Sequence, residues 1–242
     1  MMTSRTQLLV SILFATASLS SLTTLAADKM NEQGDDVFIV KSRSFMASHP
    51  DLNSRSLGMR SYQKGQFEEA MRQFRKGAYY ADKPSQAMVA EMLWKGEGVE
   101  QNRIAAYAWI DLAAERLYKD LVAKRENYWA ALSAEERLQA VEIGRAIYDK
   151  YGDKVAKRRL ENILERDRRN ITGSRTGYVG VLKIQVPGPG GMPIDINGDQ
   201  FYQEKFWKPE MYWKWQSVAW QALPTGTATM GELEPIKPEV KP

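Results

Sequence analysis

The segment AMVAEMLWKGEGVEQNRIAAYAWIDLAA, Ala87–Ala114, decides how the rest of the chain reads. Ala90, Leu93 and Trp94 fall at three- and four-residue spacings, so small and apolar groups share one face of a helix. Gly96 stands where that periodicity stops, the place for a residue past a helix C-terminus with positive φ, and Gly98 keeps the next turn tight. Val99 is then free to pack back, and Asn102 is placed to cap a second helix. In that helix Ala105, Ala106, Trp109, Ala113 and Ala114 form a stripe of small residues around one large ring. Two helices with small residues at their contact pack closely, so the spacing predicts a helix-turn-helix pair.

The paired glycines followed by Val99, with the Trp109, Ala113 and Ala114 ending, resemble the Sel-one-like repeat, a branch of the tetratricopeptide-type helical repeats. One repeat needs siblings to bury its face. Upstream, a helix carrying Leu57, Gly58 and Tyr62 is predicted to end at Lys64-Gly65. The partner helix then opens at Gln66, with Phe67, Ala70, Met71, Phe74 and Ala78 on one face. The segment GQFEEAMRQF, Gly65–Phe74, is similar to the second helix of an ordinary tetratricopeptide repeat, and Gly65 and Gly96 are 31 residues apart, as adjacent helix pairs require. Downstream, 117–132 is helical in character, and Ser133-Ala134-Glu135-Glu136 forms a capping box ahead of a helix reaching Tyr151-Gly152. Such a helix after the last repeat also resembles what many bacterial members of this family carry, and would cover the end of a short stack.

Residues 1–27, in which Arg5 is the one charge before an apolar run from Leu8 to Leu19 and small residues to Ala27, read as a cleavable signal peptide. The run is too short and too rich in Ser, Thr and Ala for a membrane span. The expected localisation is therefore periplasmic or secreted, and the chain is not expected to span a membrane. With no cysteine, a lipid anchor on cysteine, disulfides, thiol catalysis and thiolate metal sites are excluded. Of the 242 residues, 43% are hydrophobic and 26% charged, which argues against wholesale disorder. Setting aside Arg5 leaves 33 basic against 30 acidic residues, too mild an imbalance to expect nucleic acid as a partner.

The expected organisation is a signal peptide over 1–27, an N-terminal segment over 28–50, helical repeats with capping helices over 51–170, a β-meander with an aromatic segment over 171–222, and a disordered tail over 223–242. Val37–Met46 suits a helix or a strand. Lys154–Asn170 holds seven basic and three acidic residues beside an apolar side of Val155, Leu160, Ile163 and Leu164. It is either a solvated helix face or a docking surface for an anionic partner, with Arg158 and Arg159 as contacts. Past Ile171 the pattern alternates, with Leu182, Ile184 and Val186 on one strand face. Pro187-Gly188-Pro189-Gly190-Gly191 is a turn or loop, Ile194 and Ile196 alternate again, and Asn197-Gly198 predicts a two-residue hairpin turn before a third strand over Asp199–Gln203. Four of the seven tryptophans lie between Phe201 and Trp220. Trp207, Tyr212, Trp213 and Trp215 in this run either anchor the C-terminal segment to the helices or stack on a glycan ligand.

Other candidates fail on chemistry. Asp195-x-Asn197-x-Asp199 begins like a calcium loop but has Gln200 and Phe206 where glycine and glutamate are required, so a hairpin turn is the better reading. His49 is the one histidine, which excludes a multi-histidine metal site, and its place beside Pro50 suits a capping or structural role. Gly188-x-Gly190-Gly191 lacks the lysine and helix of a phosphate loop. Asp82, Glu91, Glu97, Asp111 and Glu115 are expected at surface-like helix positions, with no two paired as acid and base. No catalytic constellation, metal site or cofactor is expected.

The fold class expected is mainly α: a short α-solenoid of helix-turn-helix repeats with helical flanks, plus a small C-terminal antiparallel β-meander. The resemblance implies a scaffold that holds another envelope protein or a peptide. The alternative is an envelope protein that binds peptidoglycan or another glycan through the aromatic segment and the basic helix.

Overall fold

The computed structural model describes residues 36–170, 179 and 182–221. The expected signal peptide and C-terminal tail lie outside the described residues. The chain opens with a short helix over 36–41, α1, and α2 (Arg43–Ser48), so the segment left open between helix and strand is helical.

Two helix pairs follow. Helix α3 (Pro50–Gln63) starts on a proline whose fixed φ suits a first turn, and its exit passes through Gly65 at φ +71°. Helix α4 (Phe67–Ala78) turns Ala70, Met71, Phe74 and Ala78 fully inward. In the second pair, Asp82 caps α5 (Lys83–Lys95) by accepting from the Ser85 amide, and Asn102 caps α6 (Arg103–Ala113) by accepting from the Ala105 amide. Their inward residues, among them Val89, Ala90, Ile110 and Leu112, join those of α4 in a first core.

After a 3-10 turn over Ala114–Arg116, α7 (Lys119–Ala130) and α8 (Ala134–Tyr151) complete this core. The capping box at the start of α8 is formed: the Glu136 amide donates to Ser133 Oγ at 3.2 Å, and the Ser133 amide donates to Glu136 Oε2 at 2.7 Å. Helix α9 (Asp153–Asn170) then leads to a second core. Its inward side is Ala156, Leu160 and Leu164: two residues of the expected apolar side are buried and Ile163 is half-buried, but at the start of the helix Ala156 faces inward and Val155 is exposed.

The sheet is a two-stranded antiparallel hairpin, β1 (Lys183–Pro187) with β2 (Pro193–Asn197), in register Ile184 to Ile196 and Val186 to Ile194. Those four residues share the inward face, and Gly188–Met192 makes the reversal. The third strand is absent. Asn197 is instead the N-cap of a helical turn, α10 (Gly198–Phe201), in a capping box with Gln200. The Gly198 amide reaches the Leu182 carbonyl, and a Cβ at Gly198 would sit 2.3 Å from the Val179 carbonyl oxygen. Glycine is required there for close approach, so neither a hairpin turn nor a calcium loop forms at 195–199. The aromatic run is helical too, as α11 (Glu204–Trp207) and α12 (Pro209–Gln221). The second core joins Ile39, Phe45 and Leu52 to α9, the hairpin and Phe201, Phe206, Trp207 and Tyr212. The chain is thus mainly helical, two helix-turn-helix pairs with helical flanks and one small antiparallel sheet.

Candidate functional site

The repeat motif is spent on packing. Ala90, Leu93, Trp109, Ala113 and Ala114 are buried, and Ala105 and Val99 pack against the same core. The Trp94 ring stacks on Tyr128 at 3.9 Å, and the Arg103 guanidinium lies 4.6 Å from its centroid. Gly96 and Gly98 both have positive φ, +75° and +69°. A Cβ on Gly98 would fall 2.5 Å from the Phe67 carbonyl carbon and 2.6 Å from the Glu68 nitrogen, so this glycine lets the turn lie on the backbone that opens α4. The same turn is tied to α3 by the Tyr62 hydroxyl, which donates to Glu97.

Two of the C-terminal rings singled out in the sequence are anchors. Trp207 and Tyr212 are buried, so in this fold neither can stack on a ligand. The Trp207 indole donates to the Phe201 carbonyl, and the Tyr212 hydroxyl donates to Asp51 at 2.5 Å. Trp213 is half-buried: its indole donates to Glu161, and Arg116 and Lys157 lie 4.9 and 5.3 Å from its ring centroid. Trp215 packs edge-on against Phe206. Arg158 is exposed on a stretch of α9 where Glu161 and Glu165 alternate with Lys154 and Lys157, a mixed-sign surface. Arg159 points elsewhere, to the ends of α4 and α8 beside the groove described below.

Of the carboxylates expected at the surface, Asp82 lies inside, Glu91, Glu97 and Asp111 are half-buried and Glu115 is exposed. Asp82 is buried and pairs with Arg55 at 2.8 Å, while buried Lys83 reaches Glu115, Asp153 and the Leu112 carbonyl. Arg116 holds Asp153 through two hydrogen bonds, which keeps that carboxyl well below its usual range despite burial. Helices α5 and α9 and the 3-10 turn between α6 and α7 are joined through this cluster. A second polar cluster joins α3 to α12. Asp51 accepts from Tyr212 and Gln216, and burial followed by the nearby Asp82 charge pushes its carboxyl up to about 6. His49, also buried, faces the carbonyls of Phe45 and Phe206 with its two ring nitrogens. Only the imidazolium serves both carbonyls, but burial outweighs them and holds the pKa at about 4.

An open groove of about 520 Å³ lies where the ends of α4 and α8 converge. Tyr79, Tyr80, Tyr151 and Pro50 form its apolar lining, and Arg75, Lys76 and Lys150 stand around it. Tyr79 meets Tyr80 and Tyr151 nearly perpendicularly, at centroid separations of 5.3 and 6.4 Å. The Arg159 guanidinium lies 3.9 Å from the Tyr79 centroid and donates to the carbonyls of Tyr79 and Lys150, stapling the two helix ends together. No carboxylate lines the groove, and among the described residues Arg75, Lys76, Lys150 and Arg159 form no ion pair. Only Arg159 of these residues stands out in the sequence. Tyr79-Tyr80 and Lys150-Tyr151 are aromatic and basic ends of two helices some seventy positions apart, and the fold alone brings them together.

Among the described residues, no group of three or more histidines and carboxylates is placed to hold a metal ion, and no helix is long and apolar enough to cross a membrane. The fold defines a class, the short helical-repeat proteins. No family model matches the chain, and no curated protein matches its sequence. Among solved structures, the chain is similar to a protective antigen present in uropathogenic Escherichia coli strains, described as displaying an SLR fold. The match has 23% identity and a TM-score of 0.40, over 45% of this chain and 24% of that one. The chain thus spans about a quarter of that protein's length.

Proposed function

We propose that this chain is a non-enzymatic protein-interaction module of the cell envelope, a short helical-repeat scaffold that holds a partner at the basic tyrosine groove. The observation that carries this reading is the groove: cations without carboxylate partners around an apolar lining, on a fold whose other described rings and charges are largely consumed by packing. Fold alone does not specify a partner; the site does. Tyrosine and arginine are the side chains that dominate protein interfaces, because they combine a large contact area with polar groups at the tip. The signal-peptide reading of residues 1–27 supports an envelope setting. Glycan binding through the aromatic run loses its support, since Trp207 and Tyr212 are sealed and Trp213 is clamped.

The test uses residues 28–242 as bait in envelope extract, alongside sedimentation with purified peptidoglycan. Recovery of one protein at fixed stoichiometry without sedimentation supports the scaffold. Sedimentation with the wall and no protein partner overturns it.

A further inference from the structure

Resting on that interaction-module reading, we propose that the groove recognises an extended acidic peptide segment of the partner, whose spaced carboxylates meet Arg75, Lys76 and Lys150 while its intervening side chains lie on the tyrosines.

The first argument is charge. Arg75 and Lys76 stand in the last turn of α4 and Lys150 in the last turn of α8, and Arg159 enters from α9. Part of this positive charge complements the two helix C-termini, each equivalent to roughly half a negative charge. Three lining cations, with Arg159 beside them on the helix-end carbonyls, outweigh about one unit of dipole charge and leave the groove positive. Elsewhere the described surface pairs many of its cations: Lys95 and Lys124 with Glu91, Lys157 with Asp153, Lys205 with Asp36. What sets this cluster apart is its place, around an apolar tyrosine lining that holds no carboxylate.

The second argument is shape. Helix C-termini present carbonyls, which repel a compact anion such as phosphate, and α3 begins at the groove through Pro50, which has no amide to donate to one. Cations on separate, flexible stems suit carboxylates distributed along a chain. The rings discriminate further. A sugar needs an open flat face, but the tyrosines meet edge-to-face and Arg159 lies over Tyr79. They make a ridged apolar floor that accepts side chains between carboxylates. Arg159 acts as a positioning residue, since both its hydrogen bonds go to the helix ends.

The experiment is fluorescence anisotropy with residues 28–242 and a labelled peptide in which glutamate alternates with alanine. The comparators are the same peptide with glutamine for glutamate, and polygalacturonate as an equally anionic glycan. The glutamate peptide binds, salt weakens it, and the glutamine peptide does not bind. The triple variant R75E/K76E/K150E loses about tenfold or more, because each exposed ion pair is worth a few-fold and reversal adds repulsion. Its circular dichroism melt falls by only several degrees, since the three side chains are exposed and what is lost is their complement to the helix C-termini. Should it fail to fold, K76Q/K150Q reads the same contacts as a loss of several-fold. Equal binding of the glutamate peptide by parent and variant, or tighter binding of polygalacturonate lost in the same variant, overturns the inference. So does a partner recovered from extract whose binding ignores charge reversal, although the interaction module then survives. Absence of any partner removes both.

Discussion

Gly96 and Gly98 look equivalent in sequence and in φ, yet the structure separates what each does. An alanine at Gly65, at φ +71° with open space around it, suffers only the left-handed conformation, about 1 kcal/mol. At Gly96 the nearest neighbour is Gln101 Cβ at 3.2 Å, a side-chain atom that can give by a few tenths of an ångström, so the cost stays near about 1–2 kcal/mol. At Gly98 the new methyl meets the Phe67 and Glu68 backbone at 2.5 and 2.6 Å. To the conformational cost is added an overpacking cost of about 1–3 kcal/mol, because the whole turn must lift from the start of α4. The expected losses are about 1, 1–2 and 2–5 kcal/mol for Gly65→Ala, Gly96→Ala and Gly98→Ala. In a chain of this size each kcal/mol moves the melting temperature by about 2–4 °C, so Gly98→Ala melts roughly 4–20 °C below the parent and the other two within roughly 2–8 °C. Thermal unfolding followed by far-ultraviolet circular dichroism reads all three. A Gly98→Ala shift no larger than that of Gly65→Ala would refute the assignment of close approach to this glycine.

The two buried ionisable groups near α12 have opposing pH effects. Asp51 is raised from 3.8 to about 6, so the folded state holds its proton longer and is favoured by about 3 kcal/mol below pH 3.8, a gain lost as pH rises through 6. His49 is lowered from 6.5 to about 4, so the unfolded state takes the proton first and stability falls by about 3 kcal/mol as pH drops from 6.5 to 4. Urea unfolding at pH 4.5 and 7 is therefore expected to show stability rising on acidification in His49→Gln and falling in Asp51→Asn; the same slope in both variants would sink the argument. Lys83→Met removes the cation shared by Glu115 and Asp153 and is expected to cost about 3 kcal/mol, read as a lower urea midpoint with unchanged m. A loss under about 1 kcal/mol would mean that Arg116 and Lys157 suffice for Asp153. Trp213→Ala surrenders the hydrogen bond to Glu161 and the contacts with Arg116 and Lys157, an expected loss of about 2–3 kcal/mol, while binding of the acidic peptide stays unchanged. Binding lost with Trp213 would return the aromatic segment to candidacy as a ligand site.

What was legible in the sequence follows the range of the forces involved. The α5–α6 pair was readable because its signals are local: a helical stripe, a glycine at the left-handed exit, an asparagine at the next N-cap. The α8 capping box was readable for the same reason. At Asn197-Gly198 two local signals competed. Turn chemistry favoured a hairpin, but Asn197 and Gln200 also fit a capping box, and the approach of Val179 and Leu182 to Gly198 decided for the helix. The aromatic run carried no clear period because α11 and α12 are short and meet neighbours on several sides, including rings of α2. Asp82 reads as a surface charge, because nothing local shows that Arg55 reaches it, and nothing local shows that Glu115 and Asp153 converge on the neighbouring Lys83. The groove was illegible for the same reason, as its two tyrosine-bearing ends meet only through tertiary packing.

The helix read as a basic docking face turns out to join the two halves of the molecule. Asp153 at its start enters the cluster with Lys83 and Arg116, Leu160 and Leu164 enter the second core, and between them Arg159 reaches back to the ends of α4 and α8. Part of the helix's charge is spent internally: Lys157 on Asp153, Arg166 on Asp167, Arg159 on carbonyls. Lys154, Arg158, Arg168 and Arg169 stay exposed, Lys154 and Arg158 on a face shared with Glu161 and Glu165, whereas the cations of α4 and α8 surround a lining without a carboxylate. Because a single helix carries the pin of the groove and part of both cores, the geometry of Arg75, Lys76 and Lys150 depends on contacts well outside the groove. Fixed cations lose less entropy when a carboxylate binds than cations on a fraying helix end. The C-terminal segment thus packs on the helix that staples the two ends without itself lining the groove.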